Sequence, residues 1–464
     1  MAARRYPAIP AGSAAPIGHS RRSFLGMSAL GALGLGGVSL GLSGCGSSGS
    51  SADPNDFVFT FWGTGAEKDA VTKVLDAAAQ GAGLNAKPQS IPTNYETKIN
   101  TLLAANTPPD AGYLTESMSM RLGEQGKLVN VAGNAIFANY LPSAIHWYSA
   151  DGAVAQTCQE AMTFFYDTEA AAQAGVAVPT SVDGAWDWNQ LIQAADALTA
   201  DSQGRKPSDS GFDANDVQRY GFAAPTGVPQ LFALLQSNGV DMFNEDGTKT
   251  NLDSPEAIEV LQNINQLVNE HRVSPTPAQA TTFGASASLL LASKRVAMVI
   301  EGTWGLLDFS QSDVKYDTGV LPKYQQYATT TLSGATSIFA ASKHQDFALQ
   351  LLTDLSDPTK VDLYSAGLWM PAVADYYTDE AKISQWTSGG AHPAGFRTAV
   401  IDSIGSGVAY PSYRIKDFTT VATTITNAMG PIVTTPGDVT DAVKTLAATV
   451  NGQLKGAYPD SAPA

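Results

Sequence analysis

Apolar residues near the start of the chain follow two different spacings. Residues 57–62 form a continuous apolar, aromatic and β-branched run, which is typical of a buried strand. In residues 67–80 the apolar positions instead recur every three or four residues, so this segment predicts an amphipathic helix. The apolar face of that helix consists of Val71, Val74, Leu75 and Ala78.

The two patterns alternate along the rest of the chain. Short apolar runs predict further strands, at residues 86–91, 111–114, 294–301 and 338–341. Helical spacing predicts further helices, at residues 187–198, 254–268 and 347–355. The first of these begins with a capping box from Asp187 to Gln190, and the second with Ser254 as cap before Pro255. Strands that alternate with helices predict an α/β fold with largely parallel sheets.

The first 45 residues have a different composition. A charged patch with Arg21 and Arg22 precedes Phe24-Leu25 and an apolar run, residues 24–42, that is rich in Gly, Ala and Leu. This order of charge, apolar stretch and small residues is the layout of an export signal. The arginine pair resembles the bacterial twin-arginine signal, which directs export but does not anchor a protein.

The apolar run ends at Leu42-Ser43-Gly44-Cys45, which resembles a bacterial lipobox. We therefore expect cleavage before Cys45 and acylation of its thiol, so that lipid chains hold the protein at the membrane. The predicted signal peptide covers residues 1–44, and a Gly/Ser-rich flexible linker covers residues 45–54. The alternative is a free cysteine within an ordinary secretory signal.

The charge of the chain is strongly acidic outside this segment. Four of the 27 basic residues and none of the 43 acidic residues lie in residues 1–44, so the remainder has 23 basic residues and a net charge of −20. Such a field disfavours nucleic acid and anionic lipid surfaces as partners. Cys158 is the second of two cysteines and has no partner for a disulfide once Cys45 is acylated. The length is sufficient for two packed domains.

The sequence carries no strong catalytic motif. The five histidines are scattered without metal-ligand spacing, and no nucleophile elbow or phosphate-binding loop follows a predicted strand. We therefore expect no catalytic residue, no metal and no cofactor. Glu160 and Glu301 remain open as a glycosidase-like carboxylate pair. A calcium ion on the polar loop 201–216 also remains open, with the candidate ligands Asp209, Asp213 and Asp216.

Several motifs, taken together and in order, resemble the family 1 extracellular solute-binding proteins, the maltodextrin-binding-like receptors of ABC importers. They extend over almost the whole chain after the signal. In chain order they are Tyr95-Glu96-Thr97-Lys98 with Thr107-Pro108-Pro109-Asp110, Val178-Pro179-Thr180 with Trp186-Asp187-Trp188, Tyr220-Gly221-Phe222, residues 247–255, residues 294–298 with Gly302-Thr303-Trp304, Gly319-Val320-Leu321-Pro322, Ser333-Gly334 and Met370-Pro371.

The resemblance implies a two-lobe, periplasmic-binding-protein-like clamp of type II, in which each lobe is a sheet flanked by helices. Residues 55–158 and 321–367 would form lobe 1, and residues 159–320 and 368–464 would form lobe 2. Strands would cross between the lobes near residues 156–160, 316–322 and 367–371. Such clamps close by hinge motion about a ligand held between the lobes.

The resemblance, together with the ends of the predicted strands, indicates where a ligand binds. Trp304 occupies the family's Gly-x-Trp position, Trp62 follows the first strand, and Trp369 stands at the third crossing, so these three are candidate stacking platforms. Glu160, Thr115, Glu116 and Ser333 are candidate hydrogen-bonding contacts. Aromatic rings and hydroxyl-binding side chains together suit a carbohydrate, which has apolar C–H faces and many hydroxyl groups. Each tryptophan has an alternative role as a core residue.

We therefore expect a monomeric, non-enzymatic sugar or oligosaccharide receptor that delivers its ligand to the transmembrane subunits of an ABC permease. It would lie outside the cytoplasm and touch the membrane through its lipid alone. Three alternatives remain open: a lipid-anchored extracellular glycosidase, a binding protein for a non-sugar polar solute such as a polyol or a glycerol phosphate ester, and a structural or sensory lipoprotein. Arg397 and Arg414 would favour a phosphate ester if they faced the cleft.

Overall fold

The computed structural model describes residues 53–284 and 286–459. The predicted signal peptide, including Arg21 and Arg22, lies outside the described residues, as do Cys45 and most of the linker. Within the described ranges, no helix combines the length and the apolar character that crossing a bilayer requires.

Strands and helices are interspersed through the described chain. The strands are β1 (Asp56–Phe61), β2 (Asn85–Ser90), β3 (Ala111–Leu114), β4 (Ile145–Ser149), β5 (Gly152–Ala155), β6 (Cys158–Asp167), β7 (Ala200–Asp201), β8 (Val217–Phe222), β9 (Val296–Gly302), β10 (Tyr316–Gly319), β11 (Thr329–Leu332), β12 (Ala335–Ile338), β13 (Met370–Pro371) and β14 (Gly407–Ala409). The helices are α1 (Gly65–Ala82), α2 (Tyr95–Ala104), α3 (Glu116–Glu124), α4 (Thr168–Ala174), α5 (Trp188–Leu198), α6 (Val228–Ser237), α7 (Pro255–Asn269), α8 (Pro277–Phe283), α9 (Ala287–Ala292), α10 (Gly305–Ser310), α11 (Gln345–Leu355), α12 (Asp375–Thr378), α13 (Glu380–Thr387), α14 (Phe418–Thr434) and α15 (Thr440–Asn451).

The strands predicted at residues 57–62, 86–91 and 111–114 are confirmed, and they form one small sheet. Its strand order is β12-β3-β1-β2, with β1 parallel to both β2 and β3 and β12 antiparallel to β3. The side chains of Phe57, Phe59 and Phe61 are fully buried in this sheet. Each contributes about 1.5–3 kcal/mol of burial free energy. We call this sheet, its helices and the β4–β5 hairpin the small-sheet lobe.

A larger sheet forms around the long strand β6. Its order is β14-β11-β6-β9-β8-β7, and β10 and β13 also pair with β6. The pairs β8–β9 and β11–β14 are parallel, but β6 is antiparallel to β9, β10, β11 and β13. The prediction of largely parallel sheets is therefore wrong for this sheet, because β6 enters from the small-sheet lobe and opposes its neighbours. We call this sheet and its helices the large-sheet lobe.

The chain passes between the lobes where several strand ends meet. Cys158 and Gln159, at the start of β6, pair with β13. The return to the small sheet occurs between β11 and β12, rather than at the predicted segment 316–322, which contains β10 in the large sheet. The prediction that lobe 1 resumes at residue 321 is therefore wrong for β11, which pairs with β6 of the large sheet. The other domain boundaries stay predictions.

Two clusters of buried side chains form the core. The first runs without interruption from the small sheet to one face of the large sheet, and the second fills the opposite face of the large sheet beneath α5, α6, α7, α14 and α15. Adjacent residues of β6 show the division, because Phe165 belongs to the first cluster and Phe164 to the second. Side chains of β6 therefore alternate between the two clusters. The start of β6 lies where the chain passes between the lobes, which we call the hinge.

The predicted helix starts are confirmed in detail. Asp187 Oδ1 accepts from the Gln190 backbone N–H at 2.8 Å, and Gln190 Oε1 accepts from the Asp187 N–H at 2.9 Å. Ser254 Oγ accepts from the Ala257 N–H at 3.2 Å, with Pro255 in the first turn of α7. These bonds satisfy backbone donors that the helix itself leaves without a partner.

Candidate functional site

An aromatic cluster, which we call the aromatic surface, lies at the carboxyl ends of β1 and β3. Trp62 is its outer ring, and the rings of Tyr113 and Tyr95 behind it are buried. Trp62 follows β1 and is half-buried, with its ring centroid 5.0 Å from that of Tyr113 and 5.3 Å from that of Tyr95. The Tyr95 hydroxyl donates to the Tyr113 carbonyl at 2.8 Å and lies 2.9 Å from Thr60 Oγ1. Burial raises the pKa of Tyr95, and its protonated phenol links α2 to β1 and β3 through these two contacts.

Trp369 packs behind this surface. Its ring lies 6.1 Å from Tyr113 and 5.6 Å from Tyr364, edge-on in both cases, and 3% of the residue is exposed. In this arrangement Trp369 supports Tyr113, and its direct contact with a ligand stays a prediction. Sequence reasoning did not select Tyr113, although its position directly before Leu114 and Thr115 at the end of a buried strand was a usable signal.

Trp304 follows β9 and is held by the backbone that precedes it. A β-carbon at Gly302 would come 2.1 Å from the indole ring, so the ring lies directly over a residue that must lack a side chain. The half-buried indole packs against both core clusters. The Gly-x-Trp spacing therefore has a structural cause, because glycine leaves the space that the tryptophan ring fills.

The predicted contacts Glu160 and Ser333 lie at the hinge. Glu160, on β6, is buried and pairs with Leu332 of β11. The Ser333 carbonyl accepts from Gln156 Nε2 at 3.1 Å and from the Tyr413 hydroxyl at 2.7 Å, and its Oγ lies 3.4 Å from Cys158 Sγ. The Ser333 side chain is therefore part of a buried hinge network.

Thr115 and Glu116 begin α3 at the carboxyl end of β3, beside the aromatic surface. The Thr115 hydroxyl donates to the Glu96 carboxylate. Burial raises the pKa of Tyr410 well above its usual range, and the negative charge of Glu116 adds to this rise. Since Tyr410 follows β14 of the large sheet, Glu116 acts electrostatically across the two lobes.

The arginines that would favour an anionic ligand lie against carboxylates. Arg397 contacts Glu380 at 2.9 Å and Asp402 at 2.9 Å. Arg414 Nη2 contacts both oxygens of Asp241, at 3.0 and 3.1 Å. These pairs reduce the positive charge that a phosphate ester would need.

The polar loop 201–216 is organised around Asp201. Burial opposes the charged carboxylate, but hydrogen bonds from the backbone N–H groups of Arg205 and Asp213, and from the Arg205 side chain, outweigh it and lower the pKa of Asp201 to about 2. Across residues 53–284 and 286–459, no group of three or more potential metal ligands comes together.

The family of this two-lobe chain follows from its sequence. Residues 69–393 match the family model for bacterial extracellular solute-binding proteins. The chain belongs to this family. Members of this family are binding proteins that act outside the cytoplasm. No curated protein is significantly similar to this chain in sequence.

Solved structures of several other proteins have the same architecture. An ABC substrate-binding protein from Listeria monocytogenes, solved with cycloalternan, is 21% identical, with a TM-score of 0.70 over 86% of this chain and 98% of that one. UspC of M. tuberculosis is 20% identical, with a TM-score of 0.66 over 86% and 99%. The cyclic α-maltosyl-1,6-maltose binding protein of Arthrobacter globiformis is 16% identical, with a TM-score of 0.67 over 86% and 99%. The predicted two-lobe α/β clamp is thereby confirmed.

Proposed function

We propose that this solute-binding protein captures a sugar or oligosaccharide between its lobes and delivers it to the transmembrane subunits of an ABC permease. The observation that supports this most is the half-buried indole of Trp62, which packs on the buried ring of Tyr113 at the carboxyl ends of parallel strands, where α/β sheets bind ligands. One protein of the same fold was solved in complex with cycloalternan, and another is a cyclic α-maltosyl-1,6-maltose binding protein.

The proposed contacts divide by chemistry. Trp62 and Trp304 would stack on the apolar faces of sugar rings, with Tyr113 beside Trp62 and Trp369 behind it. Glu160, Thr115, Glu116 and Ser333 would hydrogen-bond hydroxyl groups. Hydrogen bonds to the carboxylates would supply orientation and specificity, because a buried polar group that loses its partner is costly.

The remaining features of the proposal concern delivery. Export would use the signal that contains Arg21 and Arg22, and acylated Cys45 would hold a monomer at the outer face of the cytoplasmic membrane. The lipid would be its contact with the membrane, and no cofactor or metal would take part. The tether would raise the concentration of loaded receptor near its permease.

A thermal-shift screen of the mature protein against a saccharide panel tests the ligand class. A ligand at 100 times its dissociation constant adds about 2.7 kcal/mol of stability, which gives a clear rise in melting temperature. Trp304→Ala should abolish the rise. Trp186→Ala is the matched control, because Trp186 is also half-buried but packs edge-on against Phe164 at 6.1 Å.

The same screen separates the competing functions. A shift from a polyol or another polar solute and from no saccharide would overturn the ligand class. Incubation with oligosaccharides followed by chromatography tests the glycosidase alternative, because release of shorter products would contradict a pure binding role. Retention of the full shift in Trp304→Ala would remove that residue from the site.

A further inference from the structure

One segment of the large-sheet lobe touches the small-sheet lobe at several points. Residues 410–416, which link β14 to α14, are fixed to their own lobe, because Ile415 lies in the second core cluster and Arg414 binds Asp241. The same segment contacts α3 and β4 of the other lobe. We call residues 410–416 the latch segment.

The first contact is a ring stack. His146 of β4 and Tyr413 of the latch segment are parallel, with ring centroids 3.3 Å apart and planes 2° apart. The Tyr413 hydroxyl donates to the Ser333 carbonyl at the hinge, and His146 Nε2 lies 3.1 Å from Gln156 Nε2. The stack therefore joins two lobes and rests on the strand crossing between them.

The second contact is an ion pair at the end of α3. Lys416 Nζ lies 2.7 Å from Glu124 Oε1, and the Tyr458 hydroxyl lies 3.4 Å from Glu124 Oε2. The Lys416 ammonium also lies 4.7 Å from the centre of the Tyr458 ring. One carboxylate of the small-sheet lobe thus meets a cation and a phenol of the large-sheet lobe.

The start of α3 extends this interface to the ligand side of the cleft. Ser117 Oγ lies 3.5 Å from the Ser412 carbonyl, and Glu116 acts electrostatically on Tyr410. Both α3 residues follow the carboxyl end of β3, beside Trp62 and Tyr113. A movement that opened the cleft on this side would have to separate α3 from the latch segment.

We propose that the latch segment holds the lobes together through the His146–Tyr413 stack and the Glu124–Lys416 pair, so that the protein closes partly before any ligand binds. Ligand affinity then depends on these contacts, because apparent affinity scales with the population of the binding-competent state. The proposed partial closure does not depend on any ligand, whereas the effect on affinity rests on the proposed sugar-binding function.

The test measures the radius of gyration of the ligand-free protein by small-angle X-ray scattering. Glu124→Lys and Lys416→Glu should each expand the protein, and the double reversal Glu124→Lys with Lys416→Glu should restore the compact form. His146→Ala should also expand it. The matched control is Lys73→Glu, which breaks the 2.7 Å Lys73–Asp362 pair, an exposed pair within the small-sheet lobe.

Affinity for the best saccharide of the panel provides the second readout. Loss of the ion pair should weaken binding about two- to fivefold, and loss of the stack about three- to tenfold. An unchanged radius in every folded variant, an equal expansion in Lys73→Glu, or a double reversal that stays expanded would overturn the latch. Absence of any saccharide binding, with the expected radii, would overturn the proposed function and leave the latch standing.

Discussion

The indole of Trp304 lies over the backbone of Gly302, so closely that a β-carbon at residue 302 would come 2.1 Å from the ring. Gly302→Ala should therefore displace the Trp304 side chain without removing it. If Trp304 stacks on the ligand, isothermal titration calorimetry should show an affinity loss that approaches that of Trp304→Ala.

Gly81→Ala is the control for this substitution. Gly81 lies in α1, and nothing beyond the backbone of its own helix comes within 4 Å of the place that a β-carbon would take, so alanine fits there without a clash. It should raise the free energy of unfolding by about 0.5–1 kcal/mol, because glycine is a poor helix former. Unchanged affinity in Gly302→Ala would show that Trp304 does not depend on this backbone contact for binding.

Tyr95 offers a second way to disturb the aromatic surface. Its buried hydroxyl donates to the Tyr113 carbonyl, so Tyr95→Phe removes this hydrogen bond from the interior. Urea denaturation should show a loss of about 1–3 kcal/mol in unfolding free energy. Binding should weaken as well, since Tyr113 packs against Trp62. A stability loss with unchanged affinity would place the surface outside the ligand site.

Local patterns predicted three of the four strands of the small sheet, β1, β2 and β3, and the helices α1, α5, α7 and α11. They placed the fourth strand at residues 338–341, although β12 ends at Ile338, and they predicted neither α14 nor α15. Residues 57–62 form a continuous apolar run and residues 254–268 show a helical period, and the structure has β1 and α7 there. β6 was not predicted as a ten-residue strand, because Gln159 and Glu160 at its start look like surface residues. Both are 1% exposed, since the hinge surrounds them with strands of both lobes. A single segment carries no signal of that environment.

The candidate site divides in a similar way. Trp62 and Trp304 were accessible to sequence reasoning because each directly follows a strand in a recognisable motif. Trp369 is buried by contact with Tyr113 and Tyr364. Tyr113 is distant from it in the sequence, and the position of Tyr364 gives no sign of the contact. The contact of His146 with Tyr413 joins residues far apart in the chain, and no periodicity predicts such a pair.

Two half-buried histidines predict the acid sensitivity of the protein. Burial lowers the pKa of His146 to about 3 and that of His392 to about 4, from 6.5 in the unfolded chain. The unfolded state therefore binds more protons between about pH 3 and 6.5, so stability is complete above pH 6.5 and falls as the pH decreases through this window.

His146→Gln should flatten that dependence in urea denaturation at pH 4.5 and 7. Glutamine retains a hydrogen-bonding group near Gln156 but does not titrate, and His392 would supply the remaining slope. If the slope between these pH values equals that of the unaltered protein, His146 is not held neutral by burial.

The predicted role of Cys45 concerns the location of the protein rather than ligand binding. If Cys45 carries the lipid, Cys45→Ala should release the protein from the membrane fraction into the medium or soluble fraction, because an acyl chain supplies the membrane affinity. Its thermal shift with a saccharide should match that of the unaltered protein, since no residue of the proposed ligand site is changed. Ligand uptake by cells should fall, because the receptor loses its high local concentration near the permease.

A Ser47→Ala variant, altered just beyond the lipobox, should keep both membrane association and uptake. Continued membrane association of Cys45→Ala would show that something other than this cysteine anchors the protein.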